Sequence, residues 1–159
     1  GTEAVFNKSA SGDSQNAVRP LKILVAEDHP INQKLAGLLL AKMGHSHMMV
    51  ENGQLALDAL AREPFDLVLM DVMMPEKDGP AAVAELRQRE AGTGQHTPVL
   101  MVTAHAMTGD RERFLDNGAD GYVSKPISAQ ALQAEIARVI RQAGEKENSR
   151  TSDPTGTPD

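Results

Sequence analysis

Cysteine is absent from the 159 residues, which excludes disulfides and thiolate metal sites and fits the cytosol. No Lys/Arg run occurs and the net charge is -6, a balance that argues against a general nucleic-acid-binding surface. Apolar runs stay well short of the roughly 18 to 20 residues that cross a bilayer, and the amino terminus lacks a basic-then-apolar signal pattern. A soluble fragment with no direct membrane contact is expected, and a membrane-anchored parent protein stays open. No Gly-rich phosphate loop follows any predicted strand, so nothing signals a nucleotide or flavin site of that kind. No internal repeat is visible, and the length allows one domain of roughly 100 to 150 residues plus tails.

What is present is a regular alternation. Leu21–Ala26 is an apolar, β-branched run suited to a central strand; His47–Val50 is a short second strand; Leu67–Met70 is a third, ending at Asp71 and too uniformly apolar to have a solvent face. Pro98–Thr103 and Gly121–Ser124 complete five strands. Between them, Pro30 suits a first helical turn, and Ile31, Leu35, Leu38, Leu39 and Met43 predict its apolar stripe up to Gly44. Asn52, Thr108 and Ser128 are the predicted caps of three further helices, and Asp78-Gly79-Pro80 is the turn-and-start signal of a fourth. In the last, Ile127 before the cap is expected to pack on Leu132 as a hydrophobic staple. Strands alternating with helices at this spacing predict an α/β fold, a parallel sheet between two helical layers. Residues 1–20 read as a flexible linker, 21–143 as the domain, and 144–159, where the apolar period stops, as a disordered tail.

The chemistry gathers at strand ends. Glu27, Asp28, Asp71, Thr103 and Lys125 each fall just past or at the carboxyl end of a predicted strand, the edge at which parallel α/β sheets bind ligands. Crowded carboxylates repel, and the usual remedy is a hard divalent cation with oxygen ligands, of which Mg²⁺ is typical. An aspartate beside such an ion can attack a phosphoryl group while lysine and hydroxyl neutralise its equatorial oxygens. The set fits phosphoryl transfer onto Asp71.

With these residues assembled, the chain over about Leu21 to Arg141 resembles the receiver (response-regulator) domain of two-component signalling. The resemblance is carried by Glu27-Asp28, by Asp71 with Met73-Met74-Pro75 and Asp78-Gly79, by Thr103-Ala104, and by Tyr122 with Lys125-Pro126. The stretch Val25–Gln33 is most similar to receivers attached to hybrid sensor histidine kinases. The resemblance implies a flavodoxin-like, doubly wound five-stranded sheet of order 2-1-3-4-5. It implies that Asp71 takes a phosphoryl group from phosphohistidine in a phosphorelay, and that Asp28, Asp71 and the backbone carbonyl of Met73 bind Mg²⁺, with Glu27 acting through water. Lys125 would pair with the phosphoryl oxygens, Thr103 and Tyr122 would be the switch pair, and the peptide before Pro126 would be cis. The implied partner is a histidine kinase or a histidine-phosphotransfer domain, in a cytoplasmic setting. Such a domain catalyses its own phosphorylation and dephosphorylation without being a kinase.

Other readings compete. His45 and His47 form an H-x-H pair that could hold a transition metal, but surface exposure is expected of both. A phosphatase with a nucleophilic aspartate would need an acid where Met73 stands. An interaction module that is never phosphorylated is the remaining alternative, although no member of the acceptor set is missing. Met73 and His105 occupy positions that, by the resemblance, affect phosphoryl lifetime; slow to moderate self-dephosphorylation is expected. Docking through the first helix, near His29, Ile31 and Lys34, and through the loop after the fifth strand follows from their position beside the acids.

Overall fold

A computed structural model describes residues 18–104 and 109–156, the stretch 145–156 as backbone alone. Most of the expected linker, residues 1–17, lies outside the described residues, as do His105 and the predicted cap Thr108. Five strands, β1 (Lys22–Ala26), β2 (Ser46–Val50), β3 (Leu67–Asp71), β4 (Val99–Thr103) and β5 (Gly121–Ser124), alternate with five helices. The helices are α1 (Pro30–Lys42), α2 (Gly53–Arg62), α3 (Gly79–Glu90), α4 (Asp110–Asp116) and α5 (Ala129–Gly156). All strand pairs are parallel and their order is β2-β1-β3-β4-β5.

Side chains alternate across the central strands, and both faces are covered. Ile23 and Val25 of β1 join Leu67 and Leu69 of β3 in a core against Ala36 and Leu40 of α1 and Leu132 and Ile136 of α5. Leu24, Ala26, Val68 and Met70 face the other way, against Leu57, Val83 and Phe114 from α2, α3 and α4. Burial on both faces is why β3 carries no polar residue before Asp71. The caps follow from chemistry: Asn52, Asp78 and Ser128 side chains accept from the N–H groups of Leu55, Ala81 and Ala131. Among the described residues no helix is long and apolar enough to cross a membrane.

Three expectations are corrected. The expected α1 stripe holds only in part: Leu35, Leu39 and Met43 pack half-buried against the core beside the fully buried Ala36 and Leu40, while Ile31 and Leu38 are 71% and 57% exposed. Ile31 lies nine positions from Leu40, about two and a half turns, and so points away from the sheet. His45 is buried, because its Nδ1 accepts from the Leu21 N–H at 3.0 Å; His47 is exposed, so the pair forms no common ligand set. Finally, α5 passes Gly144 and continues as backbone to Gly156, so the expected tail is helical over most of its length. Once a helix is nucleated, each added residue gains a hydrogen bond.

Candidate active site

Parallel register places the ends of β1, β3, β4 and β5 on one rim, with Ala26 opposite Met70, Asp71 opposite Val102 and Thr103 opposite Ser124. Glu27 follows β1, its N–H donating to the Val50 carbonyl at 2.9 Å. Its side chain is buried. Glu27 Oε2 accepts from the His29 N–H at 3.0 Å and from Asn32 Nδ2 at 3.5 Å, and the Glu27 carbonyl accepts from Gln33 Nε2 at 2.6 Å. Asp28, next in the chain, is exposed.

Asp71 ends β3 and is 4% exposed. Lys125 Nζ donates to Asp71 Oδ2 at 3.0 Å and lies 3.4 Å from Glu27 Oε1. The Lys125-Pro126 peptide is cis. One carboxylate oxygen from each of Glu27, Asp28 and Asp71 falls within 4.8 Å of the others. Three carboxylates against one ammonium leave an excess of negative charge, and oxygen donors at this spacing fit a hard divalent cation.

The electrostatics agree with that excess. Burial pushes the Asp71 carboxyl up, the Lys125 hydrogen bond opposes it, and the Glu27 charge adds to it, leaving a pKa of about 6. Burial alone would depress Lys125, but its hydrogen bond to Asp71 and the charges of Asp71 and Glu27 prevail and hold it above its ordinary value. In the absence of a cation, the ammonium is therefore the rim's own counter-charge.

The loop after β3 is held at several points. Gly79 donates to the Val72 carbonyl at 3.0 Å, Gly53 donates to the Lys77 carbonyl at 2.8 Å, and Lys77 pairs with Glu85 at 2.5 Å. Glycine is required at position 79, since a Cβ there would run into the Asp71 carbonyl. Met73 sits in this loop with its side chain 76% exposed. Thr103 is buried at the end of β4, and its carbonyl accepts from the Lys125 N–H at 2.7 Å. Tyr122 is half-buried, its ring 5.7 Å from that of Phe114 at 53°.

All the acidic and basic residues expected at the site thus converge. Asn32 and Gln33, which hold Glu27, were not anticipated as site residues; their signal is a pair of amide side chains in the first turn of a helix that starts three residues after the acid. A cavity of about 710 Å³ opens at the opposite edge of the sheet, beside Phe65, His96, Pro98 and Ile140. Its lining offers no comparable reactive set.

Comparison with known proteins points the same way. The model of the response regulator receiver domain matches residues 23–137. A hybrid signal transduction histidine kinase I of Dictyostelium discoideum is 39% identical over 91% of the chain, which spans only 9% of that relative's length. Two solved structures are similar. The receiver domain of sensor histidine kinase PA1611 from Pseudomonas aeruginosa, described with a magnesium ion in its active-site cleft, is 34% identical with a TM-score of 0.68, covering 77% of this chain and 98% of that one. The receiver domain of Ssk1 from Saccharomyces cerevisiae, solved with the histidine phosphotransfer protein Ypd1, is 26% identical with a TM-score of 0.68, covering 76% and 88%.

Proposed function

Since the chain belongs to the response regulator receiver domain family, with a hybrid histidine kinase among its relatives, we propose that Asp71 is its phosphoacceptor within a phosphorelay. The observation that carries this reading is the convergence of Glu27, Asp28 and Asp71 within 4.8 Å, with Lys125 bonded to Asp71 at 3.0 Å. An Asp71 oxygen attacks the phosphorus of a phosphohistidine; the P–O bond forms as the P–N bond breaks, and the departing imidazole nitrogen keeps the electron pair. With its pKa at about 6, Asp71 is mostly ionised at neutral pH and able to attack.

Asp28, Asp71 and the Met73 carbonyl would hold Mg²⁺, with Glu27 contributing through water; the ion would supply charge neutralisation for the incoming phosphoryl oxygens. Lys125 exchanges its Asp71 carboxylate partner for a phosphoryl oxygen. Thr103 turns its hydroxyl to the phosphate, and Tyr122 moves toward the space that Thr103 leaves. A phosphate adds nearly two negative charges, and hydrogen bonds to charged groups are worth roughly 1.5 to 3 kcal/mol each. Two or three of them approach the roughly 5.5 kcal/mol that reverses a two-state equilibrium from 1:99 to 99:1.

The donor or recipient of the phosphoryl group is a histidine kinase or a histidine-phosphotransfer domain, docking where Ile31 in the first turn of α1 and Met73 of the β3–α3 loop are exposed near the rim and Leu38 extends the exposed face along α1. Such a domain functions in the cytoplasm, as part of a hybrid kinase. The direct test is exposure to a small acyl-phosphate donor with Mg²⁺, read by intact-protein mass. One phosphoryl group is expected on the wild type and none on Asp71→Asn; retention of label in that variant overturns the assignment.

A further inference from the structure

The three acids of the rim are not held alike. Asp71 is fixed as the last residue of a buried strand and by Lys125. The Glu27 carboxylate is tied by the His29 N–H, by Asn32 and by Lys125. Asp28 is exposed and, among the described residues, its carboxylate has no hydrogen-bond or ion-pair partner. Only the backbone can aim it.

That backbone is gripped from two sides. The Glu27 N–H is bonded to Val50 of β2, and the Glu27 carbonyl receives the side-chain amide of Gln33 at 2.6 Å. The Glu27 carbonyl and the Asp28 N–H belong to one planar peptide unit, so a bond to that oxygen fixes the direction in which Asp28 leaves the strand. We propose that Gln33 is a positioning residue for the divalent cation, acting through the Glu27-Asp28 peptide to hold Asp28 toward Asp71. Gln33 does not touch the ion or the phosphoryl group. The inference rests on the reading of Asp28 and Asp71 as Mg²⁺ ligands.

The consequence is specific. Without the Gln33 amide the peptide unit can rock, and part of the binding free energy goes into re-ordering it. Replacement of Gln33 by methionine keeps the length and the helix propensity but removes the donor; alanine removes both donor and length. The measurement is Mg²⁺ affinity by calorimetry on the full chain, with thermal melting of the same metal-free samples. Gln33→Met and Gln33→Ala are each expected to bind Mg²⁺ roughly three- to tenfold more weakly, the size of one lost hydrogen bond. Melting temperatures should change little. The amide resonances of Glu27, Asp28 and His29 should also broaden in the metal-free variants, whereas Gln54→Met, which removes an amide bonded to Asp58 within α2, should leave affinity and spectra unchanged.

Wild-type affinity in both Gln33 variants overturns the positioning role and leaves the metal reading intact. A loss that merely tracks the unfolded fraction overturns it too, since the bond is then a stability contact. Absence of Mg²⁺ binding by the wild type overturns both.

Discussion

Asp71 pays for its position in the metal-free protein. Its carboxyl, ordinarily near 3.8, is raised to about 6 by burial and by Glu27, against the pull of Lys125. A carboxyl whose folded pKa exceeds its unfolded value opposes folding once it ionises, so this penalty develops as the pH rises from about 4 to 6 and is complete above that window. Metal-free Asp71→Asn should accordingly be more stable than wild type at pH 7, by on the order of 1 to 3 kcal/mol in urea unfolding, and the gain should vanish near pH 4. Equal stability at pH 7 would show that Lys125 already compensates the buried charge. The same residue shows how far a sequence can be read: a lone acid after four apolar residues marks a strand end, but its shifted ionisation comes from Glu27 and Lys125, distant in the chain.

At the scale of the element, α1 has two jobs and two faces. Ala36 and Leu40 seat it on the sheet, while Asn32 and Gln33 in its first turn grip Glu27. Apolar periodicity alone selects Ile31, Leu35, Leu38, Leu39 and Met43; Leu35, Leu39 and Met43 do pack on the core, but the stripe is drawn too wide at Ile31 and Leu38 and passes over the small, fully buried Ala36. The exposed Ile31 and Leu38 are then left over from packing, which suits them to a partner. Ile31→Glu should leave the unfolding free energy within about 0.5 kcal/mol of wild type. In contrast, it should slow phosphoryl transfer from the cognate histidine donor about tenfold or more, with acyl-phosphate labelling unchanged. An unaltered transfer rate would remove α1 from the docking surface.

Across the whole molecule, one half-buried network ties the layers together at the end opposite the rim. Asp120 accepts from the Val99 N–H at 2.8 Å and from Arg87 at 2.9 Å, and lies 2.8 Å from His96 Nε2; its carbonyl accepts from Arg138 of α5 at 2.9 Å. Burial would raise the Asp120 pKa, but His96, the Val99 N–H and Arg87 outweigh it and leave it below its ordinary value. His45 is also shifted down, by burial that the Asp66 charge offsets only in part. Both shifts have the same sign for stability: the unfolded chain takes up protons first, so folding free energy is lost as the pH falls. The His45 contribution is complete above about pH 6.5 and declines below it; that of Asp120 is complete above about pH 4 and declines below that. Urea unfolding of Asp71→Asn from pH 3 to 8, which removes the opposing Asp71 slope between about pH 4 and 6, should show both windows. Asp120→Asn should cost about 2 to 4 kcal/mol at pH 7 and remove the acid window, and His45→Gln should flatten the upper one.

Apolar periodicity, turn chemistry and strand-end acids are local signals, and they were enough for the five strands, the burial of the central β3 on both faces, the Asn52 and Ser128 caps and the placement of Glu27, Asp28, Asp71 and Lys125 at strand ends. Tertiary structure decided which face of α1 is buried, the burial of His45 on the Leu21 amide, and the grip of Gln33 on Glu27. Each of these depends on which backbone group lies across a gap from which side chain, a matter of distance in space that no spacing along the chain specifies.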